Sequence, residues 1–123
     1  MKKSILLAIA FAFIATAAVA QQAPQCNTPR DKVTVVGTTA VSCPAAQLAN
    51  RTALMICNSA ENASDPIVKV RLDGTAPILG SGAGTTLLKG QCIPFNVNSK
   101  VIPKCIADTA GVLVSTVECA APY

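Results

Sequence analysis

The sequence contains no histidine and no tryptophan, and only three phenylalanines and one tyrosine among its 123 residues. Without an imidazole there is no Ser-His-Asp or Cys-His triad and no histidine metal ligand. With so few aromatic rings there is little to stack on bases or sugars. Charge is sparse as well, at 13% of residues against 51% hydrophobic. Together these absences argue against most catalytic chemistry. They predict a protein that is not an enzyme, uses no cofactor and holds no metal.

Much of the hydrophobic content lies at the start. Met1-Lys2-Lys3 is a basic opening, Ile5 to Val19 is an uncharged apolar run, and Ala18-Val19-Ala20 supplies small residues for cleavage, the pattern of a secretory signal peptide. The run is shorter than the roughly 20 residues of a membrane span, and no charged stop-transfer segment follows. Residues 1–20 are therefore expected to be removed after Ala20. Loss of Lys2 and Lys3 lowers the formal net charge from +4 to +2. Arg30, Lys32, Arg51, Lys69, Arg71, Lys89, Lys100 and Lys104 remain, scattered as a solvated surface with no patch for nucleic acid. The expected location is secreted or periplasmic, in association with an envelope or virion, with no membrane attachment after signal cleavage.

All six cysteines (Cys26, Cys43, Cys57, Cys92, Cys105 and Cys119) follow the cleavage site. Export carries them to a compartment where disulfides persist, and an even count predicts three bridges. A metal cluster is disfavoured, because no Cys-x2-Cys spacing is present and no histidine could complete a site.

Strand patterns dominate the rest. Residues 32–36 are β-branched, residues 53–57 are apolar, and residues 67–72 alternate, with Val68, Val70 and Leu72 on one face and Lys69 and Arg71 on the other. Further runs fall at 85–88, 91–97, 101–107 and 112–118, separated by turn signals such as Asp73-Gly74, Lys89-Gly90 and Asn98-Ser99. Only Pro44 to Asn50 suits a helical turn. Short strands at this spacing predict an all-β fold, a small antiparallel β-sandwich or compact barrel. The expected organisation is a signal peptide (1–20), an N-terminal leader with the first strand (21–49) and a β-sandwich core (50–123).

One hairpin can be registered. With Asn98-Ser99 as a two-residue turn, Val97 pairs with Lys100, Pro94 with Pro103 and Cys92 with Cys105. Both latter pairs then fall at non-hydrogen-bonded sites, where a proline costs the ladder nothing and two Cα atoms approach closely enough for a disulfide. This register predicts Cys92–Cys105, leaving Cys26–Cys43 as a local bridge and Cys57–Cys119 joining the first core strand to the last.

Other candidate sites reduce to structural roles. Glu61, Asp65, Asp73, Asp108 and Glu118 form no acid/base motif, and Asp73-Gly74 is what a turn requires. Gly80 to Thr86 lacks the Gly-Lys-Ser/Thr ending of a phosphate loop. Asn50-Arg51-Thr52 and Asn62-Ala63-Ser64 match a glycosylation sequon that matters only in a eukaryotic host. The loops at 58–66 and 80–86 are the expected contact surfaces for a protein or cell-surface partner, since binding residues concentrate on loops held by a rigid scaffold.

From Asn50 to Cys119 the order of features resembles a family of small phage virion β-sandwich proteins, the head-decoration, fibre and tail-associated components. The resemblance rests on Asn50-Arg51-Thr52-Ala53-Leu54-Met55-Ile56-Cys57-Asn58, Ile67 to Leu72 with Asp73-Gly74, Thr86-Leu87-Leu88-Lys89-Gly90-Gln91, and Val101-Ile102 through Asp108-Thr109-Ala110-Gly111 into Val112 to Glu118. It implies a structural, non-enzymatic surface or decoration module capable of homo-oligomerisation. The export signal and the cysteines depart from that family. A small secreted binding or inhibitor protein, of protease-inhibitor or adhesin type, is the alternative expectation.

Overall fold

The computed structural model describes Cys26 and residues 28–120. The expected signal peptide (1–20) and Tyr123 lie outside the described residues. Among the described residues, period-2 alternation is realised as eight strands: β1 (Thr28–Val36), β2 (Val41–Ser42), β3 (Arg51–Asn58), β4 (Val68–Arg71), β5 (Thr85–Leu87), β6 (Cys92–Phe95), β7 (Lys104–Ala107) and β8 (Val112–Ala120). They form two four-stranded antiparallel sheets, sheet A in the order β1-β8-β3-β6 and sheet B in the order β2-β7-β4-β5. The fold is the expected all-β sandwich.

β8 shows why these residues become strands. Val112, Val114, Thr116, Glu118 and Ala120 are buried, while Leu113, Ser115, Val117 and Cys119 alternate with them on the other face. The core between the sheets holds Val36, Leu54, Ile56 and Val114 from sheet A and Val68, Val70, Leu87 and Ala107 from sheet B. Each of the valine, leucine and isoleucine side chains contributes about 1.5–3 kcal/mol on full burial. Val68 and Val70 lie inside, as their alternation predicts.

The three bridges are Cys26–Cys119, Cys43–Cys105 and Cys57–Cys92, with Cα separations of 5.0, 5.9 and 4.0 Å. This corrects all three expected pairings. The hairpin register behind Cys92–Cys105 fails because β6 and β7 belong to different sheets, and residues 96–103 cross between them. Cys92 instead faces Cys57 across β3 and β6, beside Met55 opposite Pro94. The Asn58 N–H donates to Gln91 O at 2.9 Å, so by alternation Cys57/Cys92 and Met55/Pro94 are non-hydrogen-bonded pairs. The expected kind of site is therefore present, with a different partner strand. Each bridge links neighbouring segments of one sheet. Cys43 and Cys105 are fully buried in the core, whereas Cys57–Cys92 and Cys26–Cys119 lie on the outer face of sheet A.

Pro44 to Asn50 forms bends and a turn, not a helix. The basic residues are also less uniformly solvated than expected, since Arg51 and Lys69 are buried.

Candidate interaction surfaces

The sandwich is closed at each end by a buried polar cluster. At one end Glu118, fully buried on β8, accepts from Arg51 Nη1 at 2.7 Å, from Arg30 Nε at 3.2 Å and from the Leu48 N–H at 3.1 Å. Arg51 also donates through Nη2 to Asn98 O (2.8 Å) and Val101 O (2.5 Å) and through Nε to Val97 O (3.3 Å), while Nη1 reaches Gln47 Oε1. One guanidinium thus ties β3 to β8, to the 47–48 segment and to the crossover after β6. These three carbonyls lie in the segment expected to form the hairpin turn, and Asn98 O also accepts from the Val101 N–H at 3.2 Å.

Burial alone pushes the Glu118 carboxyl up, but hydrogen bonds from Arg30, the Leu48 N–H and Arg51 outweigh it and hold the group below its ordinary range. Its oxygens are occupied by donors from its own fold. The pattern is that of a staple between segments.

At the opposite end, Asn58 and Asn62 play the same part with neutral groups. Asn58 Nδ2 donates to Pro66 O at 2.7 Å and Leu87 O at 3.0 Å, and Asn58 Oδ1 accepts from Asn62 Nδ2 at 2.9 Å. Asn62 Oδ1 accepts from the Leu113 N–H at 2.8 Å. Asn62 is therefore buried and bonded, so the sequon at Asn62-Ala63-Ser64 is part of the loop's internal scaffold.

The two expected contact loops are not brought together. The 58–66 loop precedes β4 and presents Ala60, Glu61, Ala63, Ser64 and Asp65 around its asparagine core. The 80–86 segment leads into β5 from the other end of β4. It folds back so that Lys69 Nζ, on the outer side of sheet B, donates to Ser81 O. Gly84 makes this approach feasible: its φ is +92°, and a Cβ there would lie 2.6 Å from Val70 O. The loop that resembles a phosphate cradle instead covers a lysine of its own sheet. Asp73 lies in the same connection, its carboxyl lowered to about 2 by the Thr75 hydroxyl and N–H and by Arg71.

The surface that sequence reading missed is the outer face of sheet A. Register places Pro29, Asp31, Val33 and Val35 of β1, Leu113, Ser115 and Val117 of β8, Ala53 and Met55 of β3, and Pro94 of β6 on it, around the Cys57–Cys92 and Cys26–Cys119 bridges. Asp31 carries the only charge among them. Val33 and Val35 are each 64% exposed. Four strands about 4.8 Å apart and some seven residues long span roughly 450 Å², the size at which an exposed apolar patch becomes notable. The signal was present in sequence, because Leu113 and Val117 add apolar residues to the phase of β8 opposite Val112 and Val114, and Val33 and Val35 make the outward phase of β1 more apolar than Arg30, Lys32 and Thr34 make the other. The outer face of sheet B differs, with Lys104 donating to Ser42 Oγ and Arg71 paired with Asp73.

Among the described residues there is no pocket and no group of three acidic or cysteine side chains placed to hold a metal ion. No family model, curated protein or solved structure matches the chain.

Proposed function

We infer that this is an exported, non-enzymatic structural or interaction module, and that its work is done by a broad surface. The observation that carries this reading is the outer face of sheet A: apolar, nearly uncharged and braced by two disulfides. Both buried polar clusters are saturated by the protein's own groups, which suits scaffold closure. A braced sheet presenting apolar area fits a protein held against other proteins in an assembly. Within that class the specific proposal is a virion-like surface or decoration protein. The order of strands and turns from Asn50 to Cys119 supports it, and the signal sequence and bridges suit delivery to an oxidising compartment.

Mass spectrometry of purified extracellular particles from a culture expressing the gene tests this. The expected result is the protein at defined stoichiometry in the particles, beginning after Ala20. Recovery solely as a free protein that inhibits a purified protease would replace this reading with the inhibitor class.

A further inference from the structure

Every open sheet has edges whose unpaired N–H and C=O groups invite another strand, and proteins usually blunt them. Three of the four edges here are blunted. β2 and β5 have two and three residues. β6 has four, and its Pro94 lies where the backbone N would face outward, as a non-hydrogen-bonded partner of β3.

β1 is different. It has nine residues and, among the described residues, pairs on one side only, with β8. The Ser59 N–H donates to Leu113 O, so by alternation the odd residues of β8 bond β3 and the even ones bond β1. Arg30, Lys32, Thr34 and Val36 therefore direct their backbone groups to β8. Asp31, Val33 and Val35 direct theirs to the open edge. The Gly37 carbonyl, next in that series, already accepts from the Ala107 N–H of sheet B at 2.8 Å, which fixes where the free edge ends.

We propose that the β1 edge pairs antiparallel with β1 of a second copy of this chain, with Val33 on the two-fold axis. Self-pairing that keeps the apolar faces of both copies on one side requires residues of like parity to oppose each other. Centring on Asp31 places two aspartates opposite each other and Arg30 opposite Lys32. Centring on Lys32 opposes two lysines. Centring on Thr34 brings Asp31 against Gly37, whose carbonyl is taken. Centring on Val33 opposes Val33 with Val33, Asp31 with Val35 and Lys32 with Thr34, with no like charges facing. All the free backbone groups of Asp31, Val33 and Val35 then find partners. The 64% exposed Val33 side chains cover one another at the seam. The pairing joins two copies of sheet A into one eight-stranded sheet with a continuous apolar face. This inference stands on the edge geometry and does not require a virion role.

Sedimentation velocity of the oxidised protein over a concentration series tests it, together with amide hydrogen exchange at low and high concentration. The expected result is a monomer–dimer equilibrium in which the Asp31, Val33 and Val35 amides become protected as dimer forms. Val33→Pro removes an N–H that no strand among the described residues of the same copy uses. It should weaken the dimer by about tenfold or more while the monomer keeps its fold. Val33→Lys, which opposes two charges on the axis, should do the same without any proline effect. A strict monomer at high concentration overturns the proposal. So does a dimer whose new protection falls on β6 or sheet B, or one unaffected by both substitutions.

Discussion

Glu118 and Arg51 meet at 2.7 Å with both side chains fully buried, on neighbouring strands of one sheet. A buried ion pair is costly to desolvate, so its net contribution to stability is small, but removing one member strands the other charge. Glu118→Gln is therefore expected to destabilise the oxidised protein by about 3–5 kcal/mol. Arg51→Met is expected to cost at least as much, because the carbonyls of Val97, Asn98 and Val101 lose their donor too. The double variant should cost less than the sum of the two, as a urea-unfolding double-mutant cycle would measure.

The same carboxylate sets an acid limit. Glu118 has its folded-state pKa lowered, so in the acid range the unfolded chain binds more protons than the folded one and stability rises with pH. Its contribution is complete above the ordinary glutamate range of about 4.3 and is lost as pH falls through the depressed folded value. Unfolding free energy should be level from neutral pH down to about 5 and then decline. The part of the decline due to Glu118 should be missing from Glu118→Gln, as denaturant titrations at a series of pH values would show.

Non-reducing peptide mapping should recover Cys26 with Cys119, Cys43 with Cys105 and Cys57 with Cys92. Burial then orders their reactivity. Cys43 and Cys105 are wholly enclosed in the core, while Cys26 and Cys92 are exposed. Mild reduction of the native protein followed by alkylation should label the two outer-face pairs while Cys43 and Cys105 stay unlabelled. Equal labelling of all six would contradict the placement of that bridge.

Strand positions were legible because alternation is a local property: Val68 and Val70 read as inward from their neighbours alone, and β3 and β8 differ from expectation only at their ends. Disulfide pairing was not, because it depends on which strands become neighbours. Cys92 and Pro94 do lie at non-hydrogen-bonded sites, but against β3 and not in the expected hairpin, and nothing within residues 92–105 shows that the chain leaves one sheet for the other. The crossover carbonyls are gathered by Arg51 on the distant strand β3, a contact that no local pattern displays. The buried roles of Glu118 and Asn62 were hidden for the same reason, since Arg30, Leu48 and Arg51 for the one and Leu113 for the other come from distant segments.

Gly84 offers a test of the loop that covers sheet B. A methyl group at this position would sit 2.6 Å from Val70 O and 2.8 Å from Arg71 Cγ, in a backbone conformation (φ +92°) that L-residues rarely adopt. The first obstacle is backbone, so the loop must move away from β4. Gly84→Ala is expected to cost about 2 kcal/mol or more. At Gly82 nothing lies within 4 Å of an added Cβ, so Gly82→Ala should change stability by less than about 0.5 kcal/mol. Displacing the segment also withdraws Ser81 O from Lys69 Nζ and opens that ammonium to solvent. Brief amine acetylation read by mass spectrometry should therefore modify Lys69 faster in Gly84→Ala than in the parent, with Lys100 unchanged. Equal Lys69 labelling in the two proteins would show that the loop does not shield it.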